Sequence, residues 1–239
     1  MFTEAIKIEP KNWEAFNSLG TIYNDQFFDY NNAKKCYQSA LDLNPDSILI
    51  KTNLAEILLI LKEYDESERL LNDLQNVNYN QTIGFVIRAL TLCSYYLRGL
   101  TQEGKIASLD LLNYYETIPV NYNINWTFRG LSNMINGITA NDSKITKDEK
   151  ELILFVPSLL EVKTEDDRTV TLRQFRNLIE KRKSKSRLSR LGAIFGISER
   201  EEDSSFILPR SEDIKIVNTS SIHTTLQGWY NWEIRLEAP

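Results

Sequence analysis

Histidine and cysteine are nearly absent from this chain, long apolar runs are missing, and each shortage removes a class of chemistry before any motif is sought. The two cysteines, Cys36 and Cys93, stand at no metal-ligand spacing and make no disulfide framework, which leaves reduced, buried thiols in a cytoplasmic protein. The single histidine, His223, would have to be the base of any His-based triad or dyad, yet it lies in a Ser/Thr-rich stretch beside no nucleophile motif. Asp110 and the pair Asp166-Asp167 have no partner carboxylate that spacing identifies, and a two-acid hydrolase has no support. No catalytic residue, metal ligand or cofactor is therefore expected. The longest apolar run, Ile57-Leu58-Leu59-Ile60-Leu61, stops at Lys62, far short of the ~18 residues of a spanning helix. Met1-Phe2-Thr3-Glu4 has neither the basic nor the apolar region of a signal peptide. A net charge of −5 argues against general nucleic-acid binding by the whole chain.

What the chain does have is a recurring pattern. Leu19-Gly20, Tyr23, Ala33, Tyr37, Ala40 and Pro45 set small residues and large apolar ones at helical spacing, and Pro45 closes the phrase. About 34 residues on, the frame returns as Leu54-Ala55, Leu58, Tyr64, Ser67, Leu71 and Leu74. These residues at these spacings resemble the tetratricopeptide (TPR) repeat. The resemblance implies stacked helical hairpins, in which Gly20, Ala33, Ala40 and Ala55 allow close helix approach while the larger side chains fill the space between. The step from Tyr23 to Ala33 is one residue longer than the repeat allows, and a turn over residues 25–29 is expected to absorb it.

Elsewhere the pattern is looser. Phe2, Ala5 and Pro10 match the spacings of Tyr37, Ala40 and Pro45, so the chain opens as if inside the second helix of a repeat, as a fragment of a longer protein would. A third copy is expected from Thr82, with Phe85, Ala89 and Leu92, and its partner helix over residues 105–115. A fourth is expected to start at Trp126 with Gly130, its second helix opened by the capping box Thr146-Lys147-Asp148-Glu149 and kinked or ended by Pro157. Gly99 to Lys105 has P-loop glycine and lysine spacing, but Ile106 stands where Ser or Thr would hold magnesium, and a Gly-containing inter-helix turn explains it. The box Thr171-Leu172-Arg173-Gln174 predicts a helix to about Lys183.

Basic residues Lys181 to Arg190, followed by acidic Glu199 to Asp203, read as a charged linker over residues 181–204. A basic amphipathic helix touching membrane or nucleic acid through 181–190 is the alternative. Beyond Ser205 alternation replaces helical periodicity, with Tyr230, Trp232, Ile234 and Leu236 on one side of a strand. The closing phrase, Trp229 to Pro239, resembles the opening strands of prokaryotic YEATS-like domains, which implies that 205–239 begins a β domain.

The expected fold is thus mainly α, a TPR-type solenoid over 1–180, then the linker and the β segment. By the resemblance it is a non-enzymatic scaffold for a protein or peptide, gripped on the first helix of each hairpin. The resemblance and the helical alternation put Glu14, Asn17, Thr21, Asn24, Leu49, Thr52, Asn53 and Glu56 on that face. The carboxylate clamp of chaperone-binding TPR domains maps onto Asn17, Thr21, Asn53, Ile83 and Ile87, of which only Asn53 keeps the clamp's residue type. A neutral or basic segment, with an apolar side chain against Leu49 and Ile83, is expected instead. The alternative makes the repeats the regulatory arm of an effector enzyme whose catalytic domain lies outside this chain.

Overall fold

The structure, a computed structural model, describes residues 6–75, 77, 79–120, 122–138 and 144–195, with side chains through residue 180. Among the described residues every regular element is helical. The order is α1 (Trp13–Ile22), a π turn (Tyr23–Phe27), α2 (Tyr30–Leu43), α3 (Ile48–Ile60), α4 (Tyr64–Asp73), α5 (Gln81–Leu97), α6 (Thr101–Thr117), α7 (Arg129–Asn136), α8 (Lys147–Phe155), a 3-10 turn (Val156–Leu160) and α9 (Glu165–Phe195). Asn12, Asp29, Ser47, Asn80 and Thr146 each accept an otherwise orphaned amide hydrogen at a helix start.

Helices α1 with α2, α3 with α4 and α5 with α6 form hairpins, and α2 on α3 and α3 on α5 join them into a stack. In the first hairpin α1 and α2 approach so closely that a Cβ on Gly20 would fall 2.7 Å from the Tyr37 ring, so only glycine fits. The surplus residue is taken up by a π turn over Tyr23–Phe27, starting two residues ahead of the turn expected over 25–29, and its wider loop holds one residue more than an α turn. Phe28 then adopts a left-handed conformation (φ 53°), and the Asp29 amide donates back to the Tyr23 carbonyl at 3.0 Å. In the second hairpin Leu54, Ala55, Leu58, Leu71 and Leu74 are buried, and the Ser67 hydroxyl donates to the Ala55 carbonyl at 2.9 Å. In the third, Gly99 (φ 79°) ends α5, and Gly104 and Lys105 belong to α6, so the P-loop spacing falls on a helix end and a helix start.

After α6 the stack is broken. Residues 122–128 have no regular structure, and α7 packs on α3, on the π turn and on α8. The expectation that Trp126 opens the first helix of a fourth repeat is therefore corrected: Trp126 lies in the irregular stretch, and α7 starts at Arg129. The Thr146 capping box forms, and its Glu149 carboxylate also accepts from the Thr101 hydroxyl at 2.8 Å, tying α8 to the start of α6. Pro157 stands where α8 gives way to the 3-10 turn.

Helix α9 starts earlier than expected. Thr164 caps it, accepting from the Asp167 amide at 3.1 Å and donating to the Asp167 carboxylate at 2.7 Å, so Thr171 lies inside the helix and caps nothing. The reason is Arg168, which is buried and donates to the carbonyls of Tyr115 and Ile118 at the end of α6. That contact fixes the chain ahead of Thr171. The helix also runs on to Phe195, beyond Lys183, so residues 181–195 stand on helical backbone where a linker was expected. Residues 196–204, His223 and the YEATS-like β segment 205–239 lie outside the described residues. No described helix is long and apolar enough to cross a membrane.

Leu54 is 2% exposed in the middle of the stack. Leu54→Ala should cost about 2–5 kcal/mol, lowering the chemical-denaturation midpoint accordingly. An unchanged midpoint would contradict its burial between hairpins.

Candidate functional site

The predicted face divides into an open part and a covered one. Glu14 and Thr21 on α1 are exposed, and Leu49 at the start of α3 is 41% exposed. Asn17 and Asn53 are half-buried between them, and the Asn53 amide donates to the Asn17 side-chain carbonyl at 3.0 Å, bridging the first two hairpins. These five residues form one neighbourhood without a lysine or arginine among them.

Asn24, Thr52 and Glu56, expected on the same exposed face, are buried, and the expectation is corrected for all three. Thr52 is satisfied within its own helix, its hydroxyl donating to the Ile48 carbonyl at 2.8 Å. Asn24 and Glu56 are covered by the chain itself. The stretch 122–136, a strap, runs over the first helices: the Tyr122 hydroxyl lies 3.3 Å from that of Thr82 on α5, and the Trp126 indole N–H donates to Glu56 on α3 at 3.0 Å. Where α7 begins, a Cβ on Gly130 would fall 3.0 Å from Ile60 and 3.1 Å from both Asn24 and Tyr30, so the strap's backbone rests directly on the α3 end and the π turn. Ile83 and Ile87 are also buried, which leaves Leu49 as the accessible apolar contact of the pair proposed from sequence.

Glu56 is the unusual group here. It is 2% exposed, receives one hydrogen bond, and has no cation beside it. Burial pushes its carboxyl from the ordinary 4.5 up to about 8; the Trp126 hydrogen bond opposes the rise and the Asp25 charge adds to it. The titratable groups facing it are Asp25 from the π turn, Tyr30 and Tyr37 from α2, and Cys93 from α5. Asp25 is itself raised by burial, with Arg129 of the strap pulling the other way. Glu56 is consequently held as a neutral acid near pH 7. Its Oε1 and the Asn24 Oδ1 are both buried without a hydrogen-bond partner in the protein.

Sequence reasoning missed the strap and Trp126 as groups of this face. The signal present was the run Ile57 to Leu61: a helix apolar on every side must be covered on every side.

A family model for the tetratricopeptide repeat matches residues 26–82, which take in α2, α3, α4 and the first residues of α5. Comparison with curated proteins and with solved structures gives no match.

Between pH 4.5 and about 8 the folded chain keeps the Glu56 proton that an unfolded chain has released. The folded state then binds more protons, so this contribution to stability is full below pH 4.5 and is lost as pH rises through about 8. Glu56→Gln, neutral at every pH, should flatten that decline in denaturation midpoints taken from pH 5 to 9. A parent and a variant with parallel pH profiles would show that Glu56 is not held neutral.

Proposed function

We propose that this chain is a protein-interaction module that takes a peptide or protein segment on the face of its first helices. The repeat match over 26–82 supports the general role, since such repeats mediate protein–protein interaction. The observation that carries the location is the open neighbourhood of Glu14, Asn17, Thr21, Leu49 and Asn53, which offers a part-exposed leucine ringed by polar side chains. A buried apolar anchor with a polar rim is how such surfaces gather affinity.

Electrostatics restricts the partner. A terminal carboxylate at Asn17 and Asn53 meets no cation in this neighbourhood and is repelled by Glu14. The partner segment is therefore neutral or basic, with an apolar side chain set against Leu49.

Unbiased peptide display against the full chain, followed by calorimetry, tests this. Selected peptides should be neutral or basic, and each should bind equally well as free acid and as amide. Leu49→Glu should weaken them on the order of tenfold or more, equivalent to about 1.4 kcal/mol. Tight binding of acidic tails that depends on the free carboxylate, or binding untouched by Leu49→Glu, would refute the assignment.

A further inference from the structure

The covered part of the face already holds a peptide-like occupant, the strap itself. A repeat hairpin would stack behind α6 and leave the first helices open, whereas residues 122–128 run without regular structure across them and α7 closes over Asn24 and Ile60. An irregular stretch whose tryptophan donates into the face, leading into a helix start whose glycine lets the backbone touch the helices beneath, is seated as a bound segment would be.

Two features make the strap an imperfect occupant. Asn24 Oδ1 and Glu56 Oε1 remain buried and unpaired beneath it, and a buried polar atom without a partner penalises the closed arrangement relative to one that supplies the missing bond. Glu56 itself is neutral, so the charge to be met here is that of Asp25: residues 122–136 contain no acidic residue and one arginine, Arg129, whose charge acts on Asp25. The attraction is general to such a segment, and the fit is incomplete in this one.

From these observations we infer that the strap is a placeholder in the partner site, and that a partner segment with a tryptophan, an arginine three residues later and a glycine after it, and with a polar group that pairs Asn24 Oδ1 or Glu56 Oε1, binds by displacing the strap, its tryptophan N–H taking the Glu56 Oε2 contact. The inference rests on the interaction-module reading and extends it to the chemistry of the partner. Binding then proceeds by exchange: the Trp126 hydrogen bond breaks as the incoming one forms, and affinity is reduced by the fraction of time the strap is closed.

The test uses the full chain and a labelled synthetic peptide of residues 122–132, blocked at both ends. Trp126→Phe removes the competing N–H while keeping an aromatic ring in place. The Trp126→Phe chain should bind the peptide roughly tenfold more tightly than the parent chain does. A peptide with phenylalanine for the tryptophan should lose that gain, as should adding Glu56→Ala to the chain. Hydrogen exchange on the parent provides a measurement that needs no variant: amides of 122–128 should exchange faster than those of α3 and α5, and excess peptide should speed them further. Equal affinity of parent and Trp126→Phe chains for the peptide, or strap amides that open only with α3, would overturn the inference. Displayed peptides that still depend on Leu49 would, in that event, leave the interaction-module reading standing; loss of both would end both.

Discussion

Helix α3 sets the conditions the rest of the molecule meets. From Leu54 to Ile60 every residue is buried, and the only ionisable one is Glu56. Repeat stacking covers such a helix on three sides, here with α2, α4 and α5, and ordinarily leaves the fourth side polar and wet. With Ile57, Leu58, Leu59 and Ile60 in succession no fourth side is polar enough to be left open, and each such side chain gains about 1.5–3 kcal/mol on burial. The strap is the cover. Breaking the stack after α6 and burying a carboxyl are both consequences of that requirement.

The carboxyl survives burial because two adjustments act together. A charged Glu56 would have to lose its hydration with no cation to compensate, a cost of several kcal/mol, so it keeps its proton instead. Trp126 then satisfies one oxygen with a donor that brings its own apolar ring to the cover. The π turn contributes to the same spot. Its extra residue sets Asn24 and Asp25, joined at 3.0 Å, against the strap, and α7 packs on that turn. An insertion that looked like a blemish in the repeat is thus part of the surface that receives the strap.

Local chemistry made the hairpins legible from sequence: the close approach at Gly20, the leucines of the second copy and the Thr146 capping box all act between residues near one another in the chain. Choices made by distant contacts were not legible. Thr164 and Thr171 each precede a residue able to complete a helix cap, and nothing local ranks them; Arg168 reaching the α6 carbonyls does. Of the residues assigned to the candidate face, Glu14, Thr21 and Leu49 are exposed as helical periodicity required, and Asn17 and Asn53 are part-exposed. Asn24 and Glu56 obey the same periodicity but are covered by a segment far along the chain, which a period of 3.6 residues cannot report.

Open and covered parts of the face therefore differ in what they demand of a ligand. At Asn17, Leu49 and Asn53 a segment needs only to displace water, and the Asn17–Asn53 hydrogen bond already fixes the two helices relative to each other. At Asn24 and Glu56 it must also displace a strap that carries Phe128, Leu131 and Ile135 into the core. Ile124 is buried as well, so exchange at Trp126 must release Ile124 and Phe128 in the irregular stretch, while Leu131 and Ile135 hold α7 in the core. A ligand that enters beside Leu49 and advances along α3 meets the irregular stretch first. Affinity on the open part thus sets how often the covered part is contested.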